Sequence, residues 1–144
     1  MALSSASSLK KGRRDDERKA KQPMAETHPN LLLVNDQDFD ERVLRSTLPV
    51  LVEFTADWCP PCRVLAPHFA RLSFAYQGRL SFAKMDTDEN MRVPAQLGIQ
   101  GIPTFILFAG GKAVGRLVGP HPGRLQQGID RLLEEAGVSV VASE

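Results

Sequence analysis

The sequence predicts an α/β domain with a central mixed five-stranded sheet flanked by four helices. Short apolar runs of strand length alternate with segments whose apolar residues recur at helical spacing. The last two apolar runs flank Gly110-Gly111, a pair typical of a tight hairpin turn. The element order is therefore β-α-β-α-β-α-β-β-α. We expect the first three strands to pair in parallel through right-handed crossovers, with the antiparallel hairpin at one side of the sheet and helices on both faces.

The first half of the domain begins with a short apolar run, Leu31–Val34, which predicts the first strand. The run ends at Asn35-Asp36, two residues that commonly cap helix N-termini, so the first helix is expected over Asp38–Ser46. Val50–Phe54 has the composition of a buried second strand. A long second helix follows the two cysteines of the chain, and Pro67 inside it should kink it. Its apolar face contains Leu65, Phe69, Leu72 and Tyr76.

The second half of the domain continues the alternation. A third strand is predicted over Leu80–Met85 and a short helix over Glu89–Leu97. The hairpin strands are Thr104–Phe108 and Ala113–Val118. A closing helix completes the domain. Its apolar stripe consists of Leu125, Ile129, Leu132, Leu133 and Ala136.

Length, composition and charge indicate a single globular domain. The chain has 144 residues, enough for one core and a few dozen residues of tail. Its hydrophobic content of 42% and charged content of 24% are typical of globular proteins. A formal net charge of +1 gives no electrostatic reason to expect nucleic acid or an acidic membrane as a partner, and no apolar run approaches the length of a membrane span. We expect a monomer.

The chain is predicted to consist of a disordered, charged N-terminal tail (residues 1–28), one domain (29–139) and a short C-terminal tail (140–144). The N-terminal tail has almost no large apolar side chains, so it cannot bury enough surface to offset the entropy of ordering. In an alternative interpretation, the basic residues of this tail bind an acidic partner. The N-terminus lacks the apolar stretch of a signal peptide, and the acidic residues at 15–17 are unlike a transit peptide, so the cytoplasm is the expected location.

The two cysteines, Cys59 and Cys62, lie between the second strand and the second helix. A thiolate at a helix N-terminus is stabilised by the helix dipole and by the free N–H groups of the first turn, and the thiolate is the reactive form. One helical turn separates the two residues, so they can form a disulfide. Cys59 lies at the start of the helix and Cys62 one turn further on. We therefore expect Cys59 to attack a substrate disulfide and Cys62 to resolve the mixed disulfide.

A Cys-x-x-Cys pair has two other interpretations. It is half of a tetrahedral zinc site, but such a site needs two more ligands, and His28, His68 and His121 are scattered without ligand spacing. It could also be an inert structural disulfide, although a bridge that closes so short a loop constrains the unfolded chain little. The prediction is therefore a redox-active Cys59–Cys62 disulfide with no metal and no other cofactor.

Residues 31–137 contain several specific motifs in a defined order. The most specific is 52–63, with the sequence Val-Glu-Phe-Thr-Ala-Asp-Trp-Cys-Pro-Pro-Cys-Arg. It is followed by Ala66-Pro67, by Lys84-Met85-Asp86 and by 98–104, with the sequence Gly-Ile-Gln-Gly-Ile-Pro-Thr. In these motifs, their order and their spacing, residues 31–137 resemble the thioredoxin family, which implies a thioredoxin fold and a thiol–disulfide oxidoreductase. Such an enzyme reduces disulfide-containing protein substrates and is recharged by a thioredoxin reductase.

The resemblance also implies roles for residues around the dithiol. Ile102-Pro103 is similar to the cis-proline element of the family, which lies beside the dithiol and keeps metals away. The implied groove for an extended substrate segment consists of Trp58, Gly101, Ile102, Pro103 and Gly119. For Trp58 the alternative is ordinary core packing.

Glu53 stands where most thioredoxins carry an aspartate. A carboxylate within a buried strand rarely lacks a partner, and Lys84 on the next strand is the natural candidate. Burial is expected to raise the pKa of Glu53, and Lys84 to oppose part of that rise. By resemblance, Glu53 and Lys84 belong to the catalytic machinery, with Glu53 relaying protons to Cys62 during resolution. A purely structural Glu–Lys pair is the alternative.

Pro60 is a second departure, since Cys-Gly-Pro-Cys is the commoner form of the motif. Pro60 and Pro61 both lack an N–H, so Cys59 as N-cap can accept only from the Cys62 amide within the first turn. Pro61 also biases Pro60 away from helical backbone angles, which predicts a helix that starts one residue late. Nucleoredoxin- and tryparedoxin-like proteins share Cys-Pro-Pro-Cys, whereas the short domain and the Gly-Ile-Pro-Thr stretch favour thioredoxin itself.

The residues leave three functions open. The first is an enzyme that reduces protein disulfides, and it is the function that we predict. The second is a thiol oxidase or isomerase, which would suit an exported protein; the lack of a signal peptide counts against it. The third is a non-enzymatic assembly or processivity module that uses the fold, against which the intact dithiol counts.

Overall fold

The computed structural model describes residues 30–139 and contains a five-stranded mixed sheet. The strands are β1 (Leu31–Leu33), β2 (Val50–Thr55), β3 (Ser81–Asp86), β4 (Thr104–Ala109) and β5 (Lys112–Val118). They lie in the order β1-β3-β2-β4-β5. β3 is parallel to β1 and β2, whereas β4 is antiparallel to β2 and β5. The predicted strand directions and the position of the hairpin at one side are confirmed.

Within residues 30–139, four helices pack on the sheet. They are α1 (Asp40–Leu44), α2 (Pro60–Ala75), α3 (Arg92–Gln96) and α4 (Leu125–Glu135). α1 has π-helical hydrogen bonding, and the 3-10 turn Pro122–Arg124 leads directly into α4. Apart from the two shortest helices, the elements agree with the prediction to within a few residues.

The sheet divides the core into two clusters, one on each face. Successive side chains of a strand point to opposite faces, so neighbours such as Leu51 and Val52 join different clusters. The first cluster, under α2 and α4, includes Leu51, Leu65, Phe69, Phe105 and Ile129. The second cluster, on the face of α1 and α3, includes Phe39, Val43, Val52, Val93 and Ile106. The helices therefore cover both faces of the sheet, as the α/β prediction requires.

α1 and α3 are shorter than the predicted Asp38–Ser46 and Glu89–Leu97. A reciprocal turn between Asn35 and Asp38 leads into α1. The backbone N–H of Asn35 donates to Asp38 Oδ1 at 2.8 Å, and that of Asp38 donates to Asn35 Oδ1 at 2.9 Å. The Asp38 carbonyl oxygen in turn accepts a hydrogen bond from the backbone N–H of Arg42 at 2.9 Å, so the helical bonding begins directly from this turn.

Asp36 caps a helix, but the helix is α3 rather than α1. Met91 precedes α3 and supplies no side-chain cap of its own. The Asp36 carboxylate accepts hydrogen bonds from the backbone N–H groups of Arg92 and Val93, both at 2.9 Å. Burial pushes the pKa of the Asp36 carboxyl up, but these N–H groups and the positive charge of Arg92 outweigh it and hold the pKa below its ordinary value. Asp36 thus ties the loop after β1 to α3.

Asp36→Ala is expected to lower the free energy of unfolding by about 0.5–2 kcal/mol at pH 7, the usual cost of a lost cap. Because the folded-state pKa of Asp36 lies below the unfolded one, its stabilisation is present above the unfolded pKa and is lost as the pH falls through the folded pKa. The difference between wild type and variant should therefore shrink below about pH 4. Urea unfolding at pH 7 and pH 3 measures both values, with the exposed neighbour Gln37→Ala as the control. An equal loss at the two pH values would contradict a charged cap.

Three further predictions concern membrane-spanning helices, the two tails of the chain and the kink at Pro67. Among residues 30–139, no helix combines the length and the apolar character that spanning a bilayer requires. The predicted tails, 1–28 and 140–144, lie outside the described residues. Pro67 lies in the interior of α2, and the kink that it should cause stays a prediction.

Candidate active site

Cys59 lies at the junction of β2 and α2. It is the N-cap residue of α2, with extended backbone angles of φ −83° and ψ 111°. Its Sγ accepts a hydrogen bond from the backbone N–H of Cys62 at 3.3 Å, and its carbonyl oxygen accepts one from the N–H of Arg63 at 3.1 Å. Pro60 and Pro61 have no N–H to contribute, so the amide of Cys62 is the first donor available. The positive end of the helix is thus directed at the Cys59 sulfur.

α2 begins at Pro60, immediately after Cys59. The predicted delay of one residue is therefore wrong. Proline suits the first helical position, because its fixed φ is close to the helical value and its missing N–H would have had no acceptor within the helix. These advantages outweigh the bias that Pro61 exerts on its predecessor.

A disulfide joins Cys59 and Cys62, whose Cα atoms are 5.2 Å apart. Only 2% of Cys59 and 3% of Cys62 is exposed, and the bridge packs with Ala56 and Ile102. The Sγ of Cys59 lies 3.9 Å from the carbonyl oxygen of Ile102. A substrate therefore has to fit closely against this part of the surface to reach the sulfur atoms.

The loop before β4 approaches the disulfide through a cis peptide bond between Ile102 and Pro103. Gly119, with φ +54°, donates a backbone hydrogen bond to the carbonyl oxygen of Pro103 at 2.9 Å. The hydroxyl of Thr104 donates to the carbonyl oxygen of Gly101 at 2.6 Å. These bonds hold four of the five predicted groove residues together at the end of the sheet where the disulfide lies.

Trp58, the fifth predicted groove residue, is 62% exposed, which excludes core packing. Its indole Nε1–H donates to Oδ2 of Asp88 at 2.7 Å. The ring therefore stands at the surface next to Cys59, and a hydrogen bond to the loop after β3 fixes its orientation.

Three carboxylates, those of Asp57, Asp86 and Asp88, lie near this indole. The backbone N–H of Asp88 donates to Asp86 Oδ1 at 2.7 Å. Burial raises the pKa of Asp86, the negative charges of Asp57 and Asp88 raise it further, and the backbone N–H groups of Asp88 and Glu89 oppose the rise. This group was not predicted; the available signal was the pair of aspartates, Asp86-Thr87-Asp88, at the end of a strand.

Glu53 and Lys84 are register partners in the parallel pair of β2 and β3. Glu53 is fully buried, and only 5% of Lys84 is exposed. Because side chains alternate along a strand, Glu53 points to the same face as Leu51, which packs with residues of α2. The carboxylate thus lies on the face covered by the helix that begins at the dithiol. The structure brings the predicted pair together on adjacent strands.

The geometry defines a class of chemistry. A Cys-x-x-Cys disulfide whose first sulfur faces a helix N-terminus can exchange with other thiols and disulfides. Within residues 30–139, no group of three or more His, Cys, Asp or Glu side chains is arranged to hold a metal ion. Fold and site together define a thiol–disulfide oxidoreductase.

Known proteins similar to this chain belong to the same class. A family model described as Thioredoxin matches residues 30–131. Thioredoxin of Synechocystis sp. is 47% identical over 89 residues, which cover 62% of this chain and 83% of that protein. Thioredoxin of Haemophilus influenzae is 39% identical over 92 residues, 64% of this chain and 86% of that protein. Thioredoxin M2, chloroplastic, of Arabidopsis thaliana is 39% identical over 97 residues, 67% of this chain and 52% of that protein. The chain belongs to the thioredoxin family.

Proposed function

We propose that the protein reduces disulfide bonds of other proteins through a Cys59 nucleophile. The Cys59 thiolate attacks one sulfur of a substrate disulfide, which forms a mixed disulfide and releases the other substrate sulfur as a thiolate that takes up a proton. The Cys62 thiolate then attacks the Cys59 sulfur, which forms the Cys59–Cys62 bridge and releases the second substrate sulfur as a thiolate that takes up a proton. The observation that carries the assignment is the Cys62 N–H donated to Cys59 Sγ, since it favours the thiolate of Cys59.

Substrate binds across the five predicted groove residues in this proposal. An added Cβ at Gly101 or at Gly119 would meet no heavy atom within 4 Å, so the backbone at both glycines is open to close approach. An extended segment can pair with such a backbone, as peptides do when they add to a sheet edge. Trp58 supplies an exposed, oriented ring at the same end of the sheet.

Glu53 serves as a proton acceptor for Cys62 in the resolving step, with Lys84 beside it as a positioning residue. Cys62 has to lose its proton in a nearly covered position, where water is a poor acceptor. Glu53 places a carboxylate, a group that can take that proton, on the sheet face that α2 covers. Its burial supports the proposal, because burying a carboxylate costs free energy, and a protein retains such a cost where the group has a role in structure or chemistry.

Glu53→Gln is expected to leave the fold intact and to slow the resolving step about tenfold or more near pH 7, because an amide keeps the shape but cannot accept the proton. Decay of a mixed disulfide, followed by rapid quenching between pH 6 and pH 9, measures that step, and circular dichroism checks the fold. Glu89→Gln, an exposed carboxylate changed in the same way, is the matched control. Unchanged rates across this pH range would assign Glu53 a structural role only.

The direct test of the proposed function is reduction of insulin disulfides. With dithiothreitol as electron donor, the protein is expected to accelerate insulin precipitation well beyond dithiothreitol alone. Replacing dithiothreitol by thioredoxin reductase and NADPH tests the proposed recharging partner. Equilibration against a glutathione buffer measures the reduction potential. A value above that of the glutathione pool would favour an oxidase or isomerase instead.

The proposal also includes a monomer, no cofactor beyond the Cys59–Cys62 disulfide, and a cytoplasmic location. Sedimentation and mass spectrometry of the purified protein test the first two. Location needs its own experiment, because similar proteins include ones named as chloroplastic in Arabidopsis thaliana and Chlamydomonas reinhardtii. Microscopy of the full chain tagged at its C-terminus shows whether it stays in the cytoplasm.

A further inference from the structure

The outward side of α2 is unusual in composition. None of its 16 residues is Asp or Glu, whereas the shorter α4 contains three carboxylates. Val64, Pro67, Arg71 and Phe74 follow one another at intervals of three or four residues, so they lie in one stripe along the helix, and all four are exposed. We refer to these four residues as the α2 face. The opposite side of the helix, which includes Leu65 and Phe69, packs into the core.

The α2 face combines apolar surface with positive charge. Val64 is 55% exposed and Phe74 is 58% exposed. Arg71 lies between them in the stripe, and Arg63 is at its edge next to the dithiol. In residues 30–139, neither of these two arginines forms an ion pair. By contrast, Arg42 pairs with Asp38, and Arg45 pairs with Asp40. Exposed apolar side chains grouped around an unneutralised cation are typical of an interaction surface.

A depression borders the α2 face at Arg71. It has a volume of about 210 Å³ and lies between α2, the turn Pro122–Arg124 and the start of α4. Its lining includes His68, Arg71 and Gln126 and no carboxylate. The Nη2 of Arg71 lies 3.2 Å from Nδ1 of His68. A guanidinium can only donate, so Arg71 is the donor in this contact. The depression therefore offers N–H donors and a positive charge.

We propose that the α2 face is a docking surface for an acidic segment of the disulfide-bearing protein that the dithiol reduces. A carboxylate of that segment enters the depression and pairs with Arg71, and an apolar side chain of the segment covers Phe74. Charge complementarity identifies the occupant, because the face and the depression present cations and N–H donors but no carboxylate. This inference rests on the proposed reductase function and adds a feature of the substrates that it selects.

The position of Arg71 determines how far the acidic segment lies from the scissile disulfide. Arg71 follows Cys59 by twelve positions, which is about 18 Å along a helix axis. Extended chain covers this distance in roughly five or six residues. Acidic residues about five positions from the substrate cysteine are therefore expected to accelerate its reduction, since docking raises the local concentration of the disulfide at Cys59.

Two synthetic peptides test the proposal. They contain the same intramolecular disulfide and differ only in a segment that starts five residues from the nearer cysteine, with three Glu and one Leu in the first peptide and three Gln and one Leu in the second. Trp58 is the single tryptophan and is adjacent to Cys59, so its fluorescence follows oxidation of the reduced protein. The Glu peptide is expected to react about fivefold faster at low ionic strength, a factor that one or two exposed ion pairs can supply. The advantage should fall below about twofold in 0.5 M salt.

Arg71→Glu is expected to abolish or invert the preference for the Glu peptide while leaving the rate with the Gln peptide within about twofold of wild type. Lys112→Glu is the matched control, because it makes the same change of charge at the hairpin turn, at the end of β5 far from the disulfide. It should keep the preference. Equal rates for the two peptides in the wild type, or a preference that survives Arg71→Glu, would overturn the proposal.

Binding of a disulfide-free Glu peptide separates docking from chemistry. A fluorescein-labelled version is titrated with the oxidised wild type and with Arg71→Glu, and fluorescence anisotropy is recorded. If the Glu peptide binds the wild type and Arg71→Glu weakens that binding, the docking surface is supported. This holds even where the protein reduces neither disulfide peptide, because a lack of reduction would refute only the reductase function. Failure of this peptide to bind the wild type more tightly than Arg71→Glu refutes the docking surface, whatever the reductase assay shows.

Discussion

Cys59→Ser is expected to reduce insulin-disulfide reduction to the rate of dithiothreitol alone, whereas Cys62→Ser is expected to stop after the first step with substrate attached. A serine hydroxyl at position 59 stays protonated at neutral pH and cannot attack a disulfide, although it can still accept the amide hydrogen bond of residue 62. With serine at position 62, the Cys59 thiolate still forms the mixed disulfide, but no second thiolate resolves it.

Insulin turbidity measures turnover, and non-reducing mass spectrometry detects the trapped adduct. A variant that carries both serines should form no adduct, which shows that the adduct of Cys62→Ser depends on Cys59. The opposite pattern, with a trapped adduct in Cys59→Ser and none in Cys62→Ser, would show that the assigned roles of the two cysteines are wrong.

Phe69→Ala is expected to lower the free energy of unfolding by about 3–5 kcal/mol, the range observed when a large core side chain is truncated and leaves a cavity. Phe69 lies on the buried side of α2 and is fully buried. The centroid of its ring lies 4.9 Å from that of Phe82 and 5.3 Å from that of Phe105. The expected loss is a large part of the roughly 5–15 kcal/mol by which a domain is usually stable.

Phe74→Ala is the matched control, because it removes the same ring from the same helix at a position that is 58% exposed. Its effect on the free energy of unfolding should stay within about 0.5 kcal/mol. Urea unfolding monitored by circular dichroism gives both values. A loss below about 1 kcal/mol for Phe69→Ala would mean that the core closes around the missing ring.

The elements that sequence reasoning predicted well are those whose signals are local. The apolar runs around Gly110-Gly111 specify the hairpin, and the spacing of Leu65 and Phe69 specifies the buried side of α2. Expected burial also predicts partners for charged residues. Because a carboxylate inside an apolar strand is rarely buried without a partner, Glu53 predicts a cation on a neighbouring strand, and Lys84 is its register partner there.

The features that were missed depend on contacts between distant parts of the chain. Asp36 has the composition of a cap, but whether it caps α1 or α3 depends on where β1 places the following loop. The bond between Trp58 and Asp88 likewise joins two loops that only the sheet brings together. The start of α2 was misjudged for another reason, because two local effects at Pro60 oppose each other and their balance cannot be found from sequence alone.

The cap that Asp36 places on α3 has a consequence for local unfolding. α3 has five residues, too few to persist as an isolated helix, and its capping bonds reach back 56 positions to the loop after β1. The amide protons of Arg92 and Val93 should therefore exchange with solvent whenever that loop opens, as part of one cooperative unit. The same unit ends a few residues before Gly101. Opening of the loop after β1 is therefore expected to loosen the segment that leads into the substrate groove.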